Sequence, residues 1–259
     1  MPLDIVVVSV SRRADGCSLI GYGAAVPGKY GFVRLVAATP SGVLYLEGHR
    51  MGGMAEPRPF DLIRVEAPWA DSRPTQPENR VVDDTEWELL ERPASRPHLV
   101  RLERTPVSNG PLFGTAGRAV RAAGYDLEES ILFVEPHDTA AVCEWDSAKE
   151  RYRGRLRFTS GGNRYNLPLT DYRYARILRE RGEGVYTLSQ LGCRAPHGLR
   201  LVVTLGEPFH GWCYLMAAGI LPRRTVGLWR PTIQMGYSAA QTGSTRVYRS
   251  GATAPRSRE

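Results

Sequence analysis

The sequence predicts a mainly β protein made of two tandem strand-rich units and a flexible basic tail. Three observations carry this. Short strand-like runs separated by Gly, Pro, Asp and Ser recur along the chain, a spacing that suits small antiparallel barrels or sandwiches rather than alternating βαβ units. Helical patterns are few. A turn-rich stretch, Thr105-Pro106-Val107-Ser108-Asn109-Gly110-Pro111, follows a complete set of strands. It divides the body into units 1–110 and 111–221, both of ordinary domain size, and leaves 222–259 as the tail.

Each expected strand is a run of β-branched, aliphatic or aromatic residues bounded by turn formers. In the first unit these are Ile5–Val10, Cys17–Ala24, Gly31–Val36, Asp61–Ala67 and Leu99–Arg104. In the second they are Ser130–Glu135, Val142–Trp145, Arg151–Thr159, Arg164–Leu169 and Leu199–Leu205. Gly117–Gly124 reads as a short helix. Asp171–Arg181 reads as a better one, with Thr170 or Asp171 to cap its start and Gly182 to take the left-handed position after its end. Leu215–Leu221 fits a strand or a short helix, and periodicity does not decide between them.

Composition narrows the class. The chain has 259 residues, 42% hydrophobic and 24% charged, which is too balanced for a wholly disordered protein. No apolar run approaches the ~18 residues of a membrane span, and the N-terminus lacks the pattern of a secretory signal. The four cysteines, at 17, 143, 193 and 213, contain no Cys-x-x-Cys pair. A cytoplasmic protein away from membranes is therefore expected.

The net charge of +7 is unevenly placed. Seven arginines and one acid fall after residue 221, so the body is nearly neutral. Within the body, residues 151–181 hold nine arginines against Asp171 and Glu180. Only Lys29 and Lys149 are lysines. Arginine reads phosphate bidentately and stacks on bases better than lysine does, although a genome-wide codon bias gives the same preference.

Four motifs, in order along residues 6–221, point to a family. They are Val8-Ser9-Val10-Ser11-Arg12-Arg13 with Gly16-Cys17; Phe32-Val33-Arg34-Leu35-Val36; Gln76-Pro77-Glu78-Asn79 with Val82-Asp83 and Trp87; and Thr204-Leu205-Gly206-Glu207-Pro208-Phe209 with Gly211-Trp212-Cys213-Tyr214. Together they resemble the dual OB-containing domain family. Arg13 stands where that pattern has lysine, and Trp212 where it has tyrosine. The resemblance implies two tandem OB-like β-barrels, to which the residue patterns above add a few short helices. It also implies a role tied to bacterial conflict or defence loci, with nucleic-acid or nucleotide binding as the inferred activity.

Arg151-Tyr152-Arg153-Gly154-Arg155-Leu156-Arg157-Phe158 is the most informative stretch. In a strand all four arginines face one side, and Tyr152, Leu156 and Phe158 face the other. Four guanidinium groups on one face need an anion, and OB folds bind nucleic-acid strands with basic and aromatic side chains. The alternative is a solvated face on an edge strand, where charge prevents aggregation. Arg164, Tyr165 and Arg173 extend the candidate interface, with Tyr172 and Tyr174 as further stacking groups, and Arg12 and Arg13 of the opening motif join it. Arg173 and Arg176 share a helix face, which also reads as plainly solvated, with Glu180 in reach of Arg176.

Gln76, Glu78 and Asn79 form an acidic-polar counterpart with Asp83, Asp84, Glu86 and Glu88. Such oxygens can hold Mg²⁺ for phosphodiester cleavage, but they also serve as structural partners of loop amides, and the second reading is favoured. The resemblance places Ser11, Gln76, Glu78, Asn79 and Glu207 around a pocket between the barrels. Cys193-x₃-His197 and His210-x₂-Cys213 have zinc-like spacing, yet Cys213 also fits a core thiol. No metal or cofactor is expected.

The expected function is nucleic-acid binding by an accessory protein of a bacterial defence or DNA-transaction system. DNA or RNA, and other defence proteins, are its expected partners. A sensor of a small nucleotide or modified base, a metal-dependent nuclease or phosphodiesterase, and a scaffold are the alternatives. Without an assignable catalytic set, a binding protein is favoured over an enzyme.

Overall fold

A computed structural model describes residues 2–13, 16–26, 29–39, 42–45, 56–67, 69–70, 75–82, 87–123 and 127–223, with the backbone alone at 12, 13, 25, 26 and 69. The side chains of Arg12 and Arg13, the acids Asp83, Asp84 and Glu86, and the tail from residue 224 onward lie outside the described residues.

The first half supplies β1 (Pro2–Arg13), β2 (Gly16–Val26), β3 (Lys29–Ala37), β4 (Leu62–Glu66), β5 (Trp69–Ala70), β6 (Asn79–Val82) and β7 (Glu88–Glu91). They form one sheet in the order β5-β6-β3-β2-β1-β4-β7. One face encloses a core drawn from the sheet's own strands and loops, including Ile5, Val7, Leu19, Leu35, Leu44, Ile63 and Trp87. To enclose that core the sheet curls into a half-barrel, helped by a bulge in β1 between Val7 and Ser9. The other face, through Val6, Val8 and Ile20, packs on the second half. Burial on both faces is why Ile5–Val8 is an unbroken apolar run rather than an alternating one.

Helix α1 (Arg96–Glu103) joins the halves. This corrects the expected strand at Leu99–Arg104. Ser95 stands at the N-cap, proline lies in the first turn, and Leu99 and Leu102 bury one helical face.

The second half supplies β8 (Ala119–Arg121), β9 (Ile131–Val134), β10 (His137–Asp146), β11 (Arg151–Ser160), β12 (Asn163–Pro168), α2 (Tyr172–Arg181), β13 (Gly184–Tyr186), β14 (Leu199–Leu205) and β15 (Trp212–Pro222). Two sheets, β12-β11-β10-β13 and β8-β15-β14-β9, enclose a core that includes Val134, Cys143, Leu156, Phe158, Leu167, Leu178, Val203 and Leu215. The outer side of β9, β14 and β15 buries Ile131, Phe133, Val202 and Ala218 against the first half. Gly219 allows that approach, because a Cβ there would lie 3.0 Å from the Val8 carbonyl oxygen. The helix expected at Gly117–Gly124 is instead the strand β8, since pairing with Trp212–Tyr214 satisfies its backbone. Leu215–Leu221 belongs to β15, which settles the ambiguity there as strand.

All four cysteines are buried free thiols. Cys193 and Cys213 lie in the second core, where burial pushes both thiols up. Among the described residues, no helix is long and apolar enough to cross a membrane.

Candidate nucleic-acid interface

The arginine strand is fixed by two hairpins. β10 pairs with β11 from Asp146↔Arg151 to His137↔Thr159. β11 turns into β12 at Gly161-Gly162, both at positive φ, the conformation a two-residue hairpin loop needs. β11 is therefore an interior strand, hydrogen-bonded on both sides. Edge protection, the alternative reading of its charge, does not apply to it.

Alternation places the side chains as expected. Arg151, Arg153 and Arg157 are exposed and Arg155 is half-buried, whereas Leu156 and Phe158 enter the core and Tyr152 packs against it. Arg164 faces outward from β12 beside them, opposite Thr159. Two carboxylates reach this face. Asp146 pairs with Arg153, and Glu144 lies 3.6 Å from Arg157. Arg155 donates to the Asn166 side chain at 2.9 Å and to the Asn166 carbonyl at 2.5 Å. Arg151 and Arg164 have no ion-pair or hydrogen-bond partner among the described residues.

Burial pushes the Arg155 pKa down; Glu144 opposes this, and Arg118, Arg153 and Arg157 add to it. An arginine keeps its proton regardless, so the direction reports the half-burial of Arg155 among other cations. Exposed ion pairs such as Arg157–Glu144 contribute little to stability, and a phosphate oxygen exchanges for the carboxylate at small cost. Arg118, just before β8, is a member of this basic surface that sequence reasoning missed. Only the packing of 111–118 along β12, seen where Tyr165 Oη donates to the Thr115 carbonyl, brings it close.

Other candidates lie elsewhere. Tyr165 is a correction: it is only 4% exposed, stacks on Phe158, and accepts a hydrogen bond from the Leu112 amide at 3.0 Å. It sits one residue from Arg164 in a strand and so faces the opposite way. Tyr174 is likewise buried. We expect Tyr165→Phe to cost about 1–2 kcal/mol in urea unfolding, the cost of an orphaned buried amide, and to leave nucleic-acid affinity unchanged.

Arg173 is held by the buried N-cap Asp171 at 2.9 Å and donates to the Ile220 carbonyl at 3.0 Å, so its fork is committed inside the fold. Arg176 and Glu180 pair loosely at 3.8 Å, as their spacing suggests.

The polar motif residues meet at the junction of the halves. Gln76 Nε2 donates to the Leu205 carbonyl at 3.1 Å, Asn79 Nδ2 to Gln76 Oε1 at 3.1 Å, and Arg34 Nη1 to Asn79 Oδ1 at 3.1 Å. Arg34 also donates to Thr204 Oγ1. Glu78 accepts from the Ser130 amide and hydroxyl at 2.5 and 2.6 Å, which engages both carboxylate oxygens. Arg34, Gln76, Asn79 and Thr204 are buried, so this network locks the two halves together. Ser11 has other neighbours: it is buried on β1 and bridges to Asp171. Glu207 is half-exposed before the last hairpin and engaged within the chain. None of these lines the cleft of about 300 Å³ on the first sheet, which is bounded by Tyr22, Tyr30, Arg64, His98 and Arg101 among others.

The sequence model of one family, described as the dual OB-containing domain, matches residues 3–220. That span contains both halves of the fold and the arginine face. A comparison with curated proteins gives no match.

Proposed function

The chain belongs to the dual OB-containing domain family, and on that premise we propose that it binds nucleic acid, with the outer face of β10–β12 tracking the phosphate backbone. The observation that carries this reading is the placement of four arginines on one face of an interior strand, reinforced by Arg164 and Arg118 and opposed by Glu144 and Asp146. A charged edge strand guards its unpaired amides. An interior strand has none to guard, and Arg151 and Arg164 on this face carry charge with no partner among the described residues, which favours a ligand of opposite charge. OB-type barrels bind strands across such a face with basic and aromatic side chains. The junction network supports the same reading indirectly, because it commits Gln76, Glu78 and Asn79 to architecture. The setting we propose is an accessory role in bacterial defence or DNA transactions, which rests on the family resemblance, and a place in the cytoplasm, which rests on the cysteine usage.

Fluorescence anisotropy with the full chain tests the reading. Labelled single- and double-stranded DNA and RNA should bind saturably at about 50 mM salt and lose at least tenfold in affinity by about 200 mM. No binding at the lower salt would contradict it.

A further inference from the structure

We propose that the hairpin joining β14 to β15 is a stacking platform for unpaired bases, so that the ligand of this protein is single-stranded nucleic acid. The inference rests on the nucleic-acid reading above and narrows it to one ligand class.

The platform is built by a tight turn. His210 and Gly211 both have positive φ, at 49° and 80°, the combination that closes a two-residue hairpin. Phe209 and Trp212 close it with reciprocal backbone hydrogen bonds of 2.8 and 3.1 Å. Directly paired residues project to the same side, and so do residues two apart on one strand. Phe209, Trp212 and Tyr214 therefore share one face, while Cys213 between them is fully buried. The three rings are 62%, 40% and 39% exposed. Three adjacent aromatic side chains left this open on a hairpin form a patch that needs a partner.

The surroundings identify the partner. β8 places Arg121 opposite Trp212 and the small Ala119 opposite Tyr214. The Arg121 guanidinium lies over the Trp212 ring at 5.5 Å, and Tyr214 keeps part of its surface open to solvent. Three residues before Arg121 stands Arg118, whose charge is felt at Arg155. Arg121 is thus the cation placed at the rings. Glu207, the nearby acid in sequence, is engaged within the chain. Open rings flanked by arginine match the way single strands are held, with the backbone on cations and bases on π-faces. Duplex bases are already stacked on each other and offer no free face to such a platform.

The test uses the full chain and three labelled probes of about 20 nucleotides, longer than the ~4–16 that one OB fold covers: single-stranded DNA, RNA of the same sequence, and the matching DNA duplex. Trp212→Ser with Tyr214→Ser should weaken single-strand affinity about tenfold or more and leave the duplex nearly unchanged. Trp212→Phe with Tyr214→Phe should restore binding, and Phe209→Ser gives an independent variant if the double serine change fails to fold. Equal loss on single strand and duplex would overturn the proposal. So would unchanged single-strand affinity in the serine variants while Arg153→Glu with Arg155→Glu abolishes binding; that outcome leaves the broader nucleic-acid reading standing. A wild-type chain that binds none of the probes overturns both.

Discussion

Replacing Asp171 by alanine is expected to destabilise the protein by about 3–5 kcal/mol, the usual cost of stranding a buried ion-pair partner. Asp171 is only 1% exposed and its side chain ties α2 to β15. It caps α2 by accepting from the Arg173 amide, grips the Arg173 guanidinium, and accepts from the Ile220 amide of β15 at 3.0 Å. Its backbone also bridges to Ser11 on β1. Alanine leaves the Ile220 amide and a guanidinium without their acceptor in a region where water enters poorly. Asparagine keeps one acceptor oxygen and should cost less. The loss should reach the junction as well, because Ser9 Oγ donates to the Ala218 carbonyl a few residues away. Urea unfolding checks this: the midpoint of Asp171→Ala should fall well below wild type, and an unchanged midpoint would contradict the role assigned to this carboxylate.

The second large effect concerns binding. Arg153→Glu combined with Arg155→Glu is expected to lower nucleic-acid affinity about 100-fold or more. Two charge-assisted contacts to phosphate are lost, each contributing about 1.5–3 kcal/mol, and two carboxylates are set against the ligand. Arg153 is the more revealing of the pair, since its pairing with Asp146 is replaced by repulsion between two acids. Circular dichroism and the urea midpoint of the variant separate lost binding from lost fold. Anisotropy on the folded variant then reads the binding loss, and wild-type affinity would remove β11 from the interface.

The arginine face was legible because a period of two in an uninterrupted strand dictates which side chains share a face. Arg151, Arg153, Arg155 and Arg157 emerge together for that reason. The same rule, carried one strand further, separates Arg164 from Tyr165, and neglecting it placed a core tyrosine in the interface. The Asp171–Arg181 helix was legible through its cap and its Gly182 terminus. Other elements depend on what packs against them. The three residues of β8 become a strand by pairing with β15, and the two-residue β5 by pairing with β6. Leu99–Arg104 has strand-like composition, yet Ser95 and the proline of the first turn start a helix there. Arg34 looked like one residue of a family strand, and only the tertiary structure joins it to Thr204 across the junction. The His210-Gly211 turn could have been read as a hairpin signal, and with it the outward rings of Phe209, Trp212 and Tyr214.

The salt dependence of binding tests the central claim most directly. Each phosphate neutralised by a basic side chain adds about 0.7–0.9 to the slope of log K against log salt. Arg153→Gln with Arg155→Gln removes two such charges without introducing repulsion. If the outer face of β10–β12 tracks the backbone, the slope for this variant should be shallower than wild type by about 1.4–1.8, with weaker binding at every salt concentration. An unchanged slope would mean that the phosphates are held elsewhere on the chain, and the arginine face would lose its assigned role.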